Sequence, residues 1–166
     1  EEVSPRKNRD ILFRNAGDGT FVNASDDAGI YGAESTGGVA VGDYNNDGFA
    51  DIFVVLRGGV QQQTDRTRLY KNEVNGSAWL TVKLVGTRSN RDGVGAKVTV
   101  TSDLGSQTRQ VISGDSFLSQ SSLWQTFGLA DARMVHEITI LWPSGTRQVV
   151  KNVKVNQTVT IIEKTD

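Results

Sequence analysis

The chain has 166 residues, a formal net charge of −1 and a pI near 5.9, and no basic stripe that would point to nucleic acid. It contains no cysteine, which excludes disulfide bonds and thiolate metal sites. Only 2 prolines but 18 glycines, with 37% hydrophobic residues and no long apolar run, favour a turn-rich all-β protein without a membrane helix.

The N-terminal part predicts a tail and a short hairpin. Residues 1–10 are charged and aperiodic, so we expect a tail, or a strand that awaits a partner. Residues 11–15 and 20–22 are short apolar runs on either side of a Gly-Asp-Gly sequence at 17–19. Such a glycine-rich connection between two apolar runs predicts a β-hairpin.

The most informative motif is the polar stretch 43–51, which lies between apolar runs at 39–41 and 52–56. Oxygen-bearing side chains occupy its positions 1, 3, 5 and 9, and Gly48 allows a sharp bend. Ca²⁺ prefers six to eight oxygen ligands, which a short loop supplies from alternate side chains and one carbonyl. The predicted calcium ligands are the side chains of Asp43, Asn45, Asp47 and Asp51 and the backbone carbonyl of Phe49.

An EF-hand and a simple polar turn are the two other interpretations of this loop. An EF-hand requires a glutamate at position 12 and flanking helices, whereas position 12 here is Val54 and the following run is typical of a buried strand. A simple polar turn also uses Asp, Asn and Gly. Four ligands in register favour calcium over a simple turn, and the strand that follows favours a propeller-type loop over an EF-hand.

A second sequence feature indicates an internal repeat. Residues 68–72 (Arg-Leu-Tyr-Lys-Asn) resemble residues 12–15 (Leu-Phe-Arg-Asn) in their order of apolar, aromatic, basic and asparagine residues. The intervening residues 61–66 are polar and predict a loop.

The second half of the chain predicts a separate β-domain. Several runs alternate apolar and polar residues with a period of two, which is typical of half-buried antiparallel strands. These runs are residues 79–85, 96–100, 136–142 and 157–162. Because glycine, asparagine, aspartate and serine separate them, and Pro143-Ser144-Gly145 predicts a tight hairpin turn, we expect a small β-sandwich.

These motifs resemble two known families. Residues 12–21, 42–48 and 51–54 look like one FG-GAP/VCBS repeat, the blade unit of integrin-type propellers. The region from Trp79 onward resembles the ASPIC/UnbV domain. The matching stretches are 79–87, 89–96, 118–120, 127–129 and 142–145. The resemblance implies a calcium-bound blade followed by a β-domain in a secreted or surface-attached protein, as in bacterial exported proteins and cartilage acidic protein, and it implies no reaction.

The predicted fold is therefore all-β, with one calcium-binding propeller-like blade and a C-terminal antiparallel β-sandwich. The expected division is a tail or donor strand at 1–10, a blade at 11–72 and a sandwich at 73–166. A single blade leaves unpaired strand edges, which proteins cover or use for association. Either the chain is the end of a longer propeller protein, or copies complete each other by donating residues 1–10 and form filaments.

Few residues favour catalysis. His136 begins an alternating strand and has no evident partner, so we expect a surface or packing role and no enzyme activity. Asn90, Asp92 and Gly93 could mark a second ion site, although a turn is favoured there and at Asp18. An aromatic group could form a carbohydrate platform, although core positions are favoured. Its members are Trp124, Phe127 and Trp142.

The expected function is that of a non-enzymatic, calcium-stabilised extracellular protein that acts in adhesion or self-assembly. Its expected cofactor is Ca²⁺. Its expected partners are other copies of itself, with a protein or glycan ligand as a further candidate. The alternatives are a C-terminal fragment of a larger propeller-type receptor or glycan-binding protein, and an accessory domain of an exported enzyme.

Overall fold

The computed structural model describes residues 10–30, 36–56, 67–73 and 76–165. These residues form twelve β-strands and no helix, which confirms the predicted all-β class. The strands are β1 (Phe13–Asn15), β2 (Phe21–Asn23), β3 (Thr36–Gly42), β4 (Asp51–Leu56), β5 (Arg68–Tyr70), β6 (Ala78–Val85), β7 (Lys97–Ser102), β8 (Gly105–Gln110), β9 (Gln125–Ala130), β10 (Met134–Leu141), β11 (Arg147–Lys154) and β12 (Gln157–Ile162). Within the described part of the chain, no helix could span a membrane.

The N-terminal strands form two small antiparallel sheets. β1 and β2 form the predicted hairpin, in which Arg14 pairs with Val22. β3, β4 and β5 form a three-stranded sheet in that order. The pairing of β3 with β4 confirms that the segments before and after the polar loop lie side by side. The predicted donor segment falls outside the described residues except for Asp10, and so does the predicted loop at 61–66.

The C-terminal strands form a sandwich of two sheets. One sheet has the order β12-β6-β9 and the other has the order β11-β10-β7-β8. Apolar side chains from both sheets meet in one buried cluster, which includes Leu80, Phe127, Ile138 and Trp142. Removing side chains of this size from water is the main favourable term in folding, so this cluster accounts for most of the stability of the sandwich.

The sandwich differs from the antiparallel prediction at one place. β12 pairs with β6 in parallel, from Gln157 opposite Leu80 to Ile162 opposite Val85. After β11 the chain turns at Asn156, which has a φ of 59°, and crosses to the opposite sheet instead of returning beside β11. Alternation of apolar residues identifies a strand but carries no information about its direction, so the parallel pair could not be seen in the sequence.

β8 was not predicted because its side chains are all exposed and show no apolar alternation. It is held to β7 by backbone pairing and by hydroxyl pairs across the strands. Thr99 pairs with Thr108 at 2.9 Å, and Thr101 pairs with Ser106 at 2.8 Å. Such cross-strand pairs stabilise a sheet without needing an apolar face.

The outer edge of β3 is engaged by the C-terminal half of the chain. The backbone N–H of Ser122 donates to the carbonyl of Val41 (2.8 Å), and the N–H of Val41 donates to the Ser121 hydroxyl (3.2 Å). A side chain at Gly38 would collide with the Ser119 hydroxyl. One edge of the propeller-like sheet is therefore covered within the same chain, which is one of the two expected ways to protect an exposed edge.

Candidate metal loop

The predicted calcium loop connects β3 to β4. Its ends are adjacent, because Gly42 pairs directly with Asp51 in the sheet. Gly48 has a φ of 90°, and Asn46 has a φ of 58°, so the loop uses two left-handed residues to reverse direction. A Cβ atom at Gly48 would lie 2.0 Å from the Trp79 ring. Glycine is therefore required here both by the backbone conformation and by the neighbouring aromatic ring.

The aspartates of the loop accept hydrogen bonds from the loop's own backbone. The N–H of Gly48 donates to Asp43 Oδ2 (2.8 Å), and the N–H of Asp47 donates to Asp43 Oδ1 (3.1 Å). The N–H of Phe49 donates to Asp47 Oδ1 (2.9 Å). Asn45 joins this network, since its Nδ2 donates to Asp47 Oδ2 at 2.8 Å. The predicted ligands at positions 1, 3 and 5 thus form one connected group.

Asp51 differs from the other loop aspartates because only 2% of its surface is exposed. The N–H of Tyr44 donates to its Oδ2 (3.1 Å), and the N–H of Asn72, just after β5, donates to its Oδ1 (2.8 Å). Asp51 therefore joins the start of the loop to β5. A buried carboxylate is costly unless its charge is compensated, and two neutral N–H groups leave room for a cation.

The donor set fits calcium by its chemistry, since it consists of carboxylate, carboxamide and carbonyl oxygens. Each carboxylate oxygen that accepts one N–H retains a further lone pair. Over the described residues, no three acidic or histidine side chains are already grouped closely enough to hold a metal ion. Calcium binding at Asp43, Asp47 and Asp51 would therefore require these side chains to move closer together, and the ligand set stays a prediction.

Comparison with protein families assigns both halves of the chain. Residues 3–54 match the FG-GAP-like repeat, and residues 86–166 match the ASPIC and UnbV family. The chain carries an FG-GAP-like repeat followed by an ASPIC/UnbV domain. This order confirms the resemblance inferred from the sequence motifs. A search of curated proteins gave no match.

FG-GAP repeats are typical of extracellular or exported proteins, so the two matches indicate a β-rich protein of the extracellular type. The metal loop lies inside the FG-GAP-like repeat, and its Gly48 contacts Trp79 on β6. The loop therefore lies at the contact between the repeat and the sandwich that contains the UnbV domain.

The UnbV domain contains one polar site that the sequence did not reveal. The carboxylate of Glu163, only 2% exposed, accepts N–H groups from Thr87, Arg88 and Ser89 at Oε2 (2.9, 2.9 and 2.7 Å). The hydroxyls of Ser89 (2.9 Å) and Ser144 (2.5 Å) donate to Oε1. Because these partners are distant in sequence, no local motif marks the site.

Burial acts to raise the pKa of Glu163, but the hydrogen bonds from Ser144, Ser89 and Thr87 outweigh it and lower the pKa to about 2. The carboxylate is therefore ionised at neutral pH and stabilised by the N–H and O–H groups that point at it. Its role is to attach the chain after β12 to the loop that follows β6.

The other candidate residues from the sequence lie at the surface or in turns. His136 is exposed, as one of the two expected positions, but it has a partner that the sequence did not reveal, because its Nε2 lies 2.6 Å from Asp103 Oδ1. Asn90 forms a turn, since its Oδ1 accepts the N–H of Val94 at 2.8 Å. Asp18 also lies in a turn and accepts the N–H of Thr20 at 2.9 Å. These contacts agree with the turn interpretation at both positions.

The three aromatic residues considered for a carbohydrate platform separate into two groups. Phe127 (0% exposed) and Trp142 (2% exposed) lie in the core, as favoured from the sequence. Trp142 also donates its indole N–H to Gln148 at 3.1 Å. Trp124 is 42% exposed and does not belong to the core.

Proposed function

We propose that this protein is a non-enzymatic, calcium-stabilised extracellular protein that acts through adhesion or self-assembly. The observation that carries the proposal is the loop between β3 and β4, in which Asp43, Asp47 and Asp51 each accept hydrogen bonds from its backbone. A calcium ion would offset two of their three negative charges and tie the first turn of the loop to the buried start of β4.

The extracellular assignment supports a calcium site of modest affinity. Extracellular modules bind calcium with dissociation constants of about 10⁻⁴–10⁻³ M, which the millimolar calcium outside cells saturates. Because the chain has no cysteine, disulfide bonds are not available to stabilise the repeat. A metal ion that binds only the native state can supply that stability.

The self-assembly part of the proposal is supported by apolar side chains exposed on the sheet of β3–β5. Phe53, Val55 and Leu69 are 44%, 44% and 47% exposed. Phe53 lies between Ala40 and Leu69 in the pairing of the three strands, so these residues share a face. Contiguous exposed apolar surface marks interaction sites, and another blade or another copy of the chain would cover it.

Each of the two alternative functions predicts a different behaviour of the isolated chain. A fragment of a larger propeller-type receptor or glycan-binding protein would cover the same face with a neighbouring blade of its own chain, so the isolated chain would not form regular fibres. An accessory domain of an exported enzyme would bind an enzyme partner and show no assembly of its own.

Thermal unfolding with and without calcium tests the proposal. At 100 times the dissociation constant, calcium should stabilise the native state by about 2.7 kcal/mol, which raises the midpoint by several degrees for a chain of this size. Chelation with EDTA should reverse the shift. An unchanged midpoint in circular dichroism would contradict a structural calcium ion.

A double substitution, Asp43→Asn with Asp47→Asn, removes two of the charges that calcium needs. Each asparagine keeps one oxygen that accepts an N–H group, while its NH₂ group replaces the second acceptor oxygen. We expect the calcium-dependent shift to disappear. Asp18→Asn is the matched control, because Asp18 accepts similar turn hydrogen bonds outside the loop and its replacement should leave the shift intact.

A further inference from the structure

A polar cleft lies where the FG-GAP-like repeat meets the C-terminal domain. Its volume is about 410 Å³. Residues around Val41 form one wall, while β8 and the segment that leads into β9 form the other. Clefts at domain contacts are common positions for small-ligand sites. Ala50 of the loop between β3 and β4 also lines the cleft, but none of the predicted metal ligands does.

Several polar groups of the cleft are held in place by their surroundings. The guanidinium carbon of Arg109 lies 5.3 Å from the centre of the Phe127 ring. The carboxylate of Asp115 accepts the N–H of Ser121 at 3.2 Å. Gln125 donates from Nε2 to the carbonyl of Leu123 at 3.0 Å. Fixed side chains lose little freedom when a ligand binds, which favours affinity.

Trp124 gives the cleft an aromatic surface. It lines the cleft and keeps 42% of its surface exposed. The ammonium group of Lys83 lies 4.8 Å from the centre of its ring, which holds the indole by a cation–π contact. The ring is therefore positioned by the fold while part of its surface remains available to a ligand.

The lining chemistry favours an uncharged ligand with many hydroxyl groups. Among the lining residues Arg109 is the one cation and Asp115 the one anion, and the other polar side chains of the lining are amides and hydroxyls. The ammonium group of Lys83 lies beside Trp124. Amides and hydroxyls both donate and accept hydrogen bonds, as sugar hydroxyls do. An aromatic face suits the apolar C–H face of a pyranose ring, because its surface is apolar and its quadrupole attracts the polarised C–H groups.

We propose that this cleft binds a neutral carbohydrate, with Trp124 stacking on one sugar ring and Arg109, Asp115 and the neighbouring amides binding its hydroxyls. The site does not depend on self-assembly. The proposed sugar ligand is also independent of calcium binding at the predicted metal loop.

Isothermal titration calorimetry with neutral oligosaccharides tests the proposal. The probes are the hexasaccharides of glucose, mannose and N-acetylglucosamine, and the protein is the full chain in millimolar calcium. At least one probe should bind saturably, and Trp124→Ala should weaken that binding by about tenfold or more. Trp124→Phe keeps an aromatic face and should recover much of the affinity.

Phe117→Ala is the control, because Phe117 is an exposed aromatic residue (69%) in the same segment but does not line the cleft. It should leave binding unchanged. Circular dichroism of each variant separates loss of binding from loss of the fold. The proposal is overturned if no neutral probe binds at millimolar concentration, or if Trp124→Ala and Phe117→Ala bind equally well. Binding only to an acidic polymer such as polygalacturonate would also overturn it.

Discussion

At the scale of single residues, Glu163 shows how hydrogen bonds can hold a buried charge. Three consecutive N–H groups, from residues 87–89, point at one of its oxygens, and two hydroxyls point at the other. Each of these charge-assisted hydrogen bonds is stronger than a neutral one. Because Glu163 follows β12, this single side chain attaches the C-terminal end of the sandwich to the loop after β6.

Replacing Glu163 with glutamine should lower the unfolding midpoint at pH 7, because the carboxamide must place its NH₂ group where only donors point. The folded-state pKa of about 2 lies below the ordinary value of 4.5. The stabilisation by Glu163 is therefore complete above pH 4.5 and is lost as the pH falls towards 2. Thermal melts over this range should show the difference between the two proteins shrinking.

Glu137→Gln is the control for this measurement. Glu137 is half-buried, accepts one hydrogen bond from the Thr139 hydroxyl (2.7 Å) and forms an ion pair with Arg147 at 3.8 Å. An ion pair that water can reach contributes little. Replacing Glu137 should move the midpoint far less at every pH. An equal loss in unfolding midpoint for the two substitutions would contradict a large stabilising contribution from the hydrogen bonds to Glu163.

At the scale of elements, the loop between β3 and β4 does more than supply the predicted metal ligands. Its Gly48 packs against the ring of Trp79, which begins the first strand of the sandwich. The carboxylate of Asp51 reaches the N–H of Asn72 after β5. The loop therefore contacts both the chain after β5 and the first strand of the sandwich, and its conformation affects how the repeat and the sandwich meet.

Gly48→Ala tests this contact, and Gly17→Ala is its matched control. Both glycines have nearly the same φ, 90° and 87°, but only Gly48 has a neighbour where the methyl group would lie. Backbone strain alone costs about 1–2 kcal/mol at either position, so urea unfolding should show at least that loss for both. The clash with Trp79 should add to the loss for Gly48→Ala, and equal losses would contradict it.

At the scale of the whole molecule, the two halves differ in how well they cover their apolar surface. The sandwich encloses one continuous core, while the sheet of β3–β5 leaves Phe53, Val55 and Leu69 substantially exposed. The segment before β9 covers part of the β3 edge, because the N–H of Ser122 donates to the carbonyl of Val41. We therefore expect copies of the chain to associate through the exposed face of this sheet and not through that edge. Strand donation by residues 1–10 stays a separate prediction.

Negative-stain microscopy with static light scattering tests self-assembly of the purified chain. We expect fibres or large oligomers, and Phe53→Glu with Leu69→Glu should disperse them, because burying two carboxylates in an apolar contact is costly. Leu104→Glu is the control, since Leu104 is 60% exposed on the turn between β7 and β8. Dispersed wild-type particles at high concentration would contradict self-assembly.

The sequence alone determined the local features of this protein. Period-two alternation located β6, β7, β10 and β12, and glycine-containing turns located the hairpins, because both depend on neighbouring residues. The spacing of Asp43, Asn45, Asp47 and Asp51 marked the metal loop for the same reason. The motifs also identified both families.

The features that join distant parts of the chain become visible in the tertiary structure and not in the sequence. The parallel pairing of β12 with β6, the hydrogen bonds to Glu163, the contact of Gly48 with Trp79 and the cleft beside Trp124 all depend on residues far apart in sequence. A local pattern records which face of a strand is buried. It does not record which strand, loop or domain lies against that face, because many packings satisfy the same pattern.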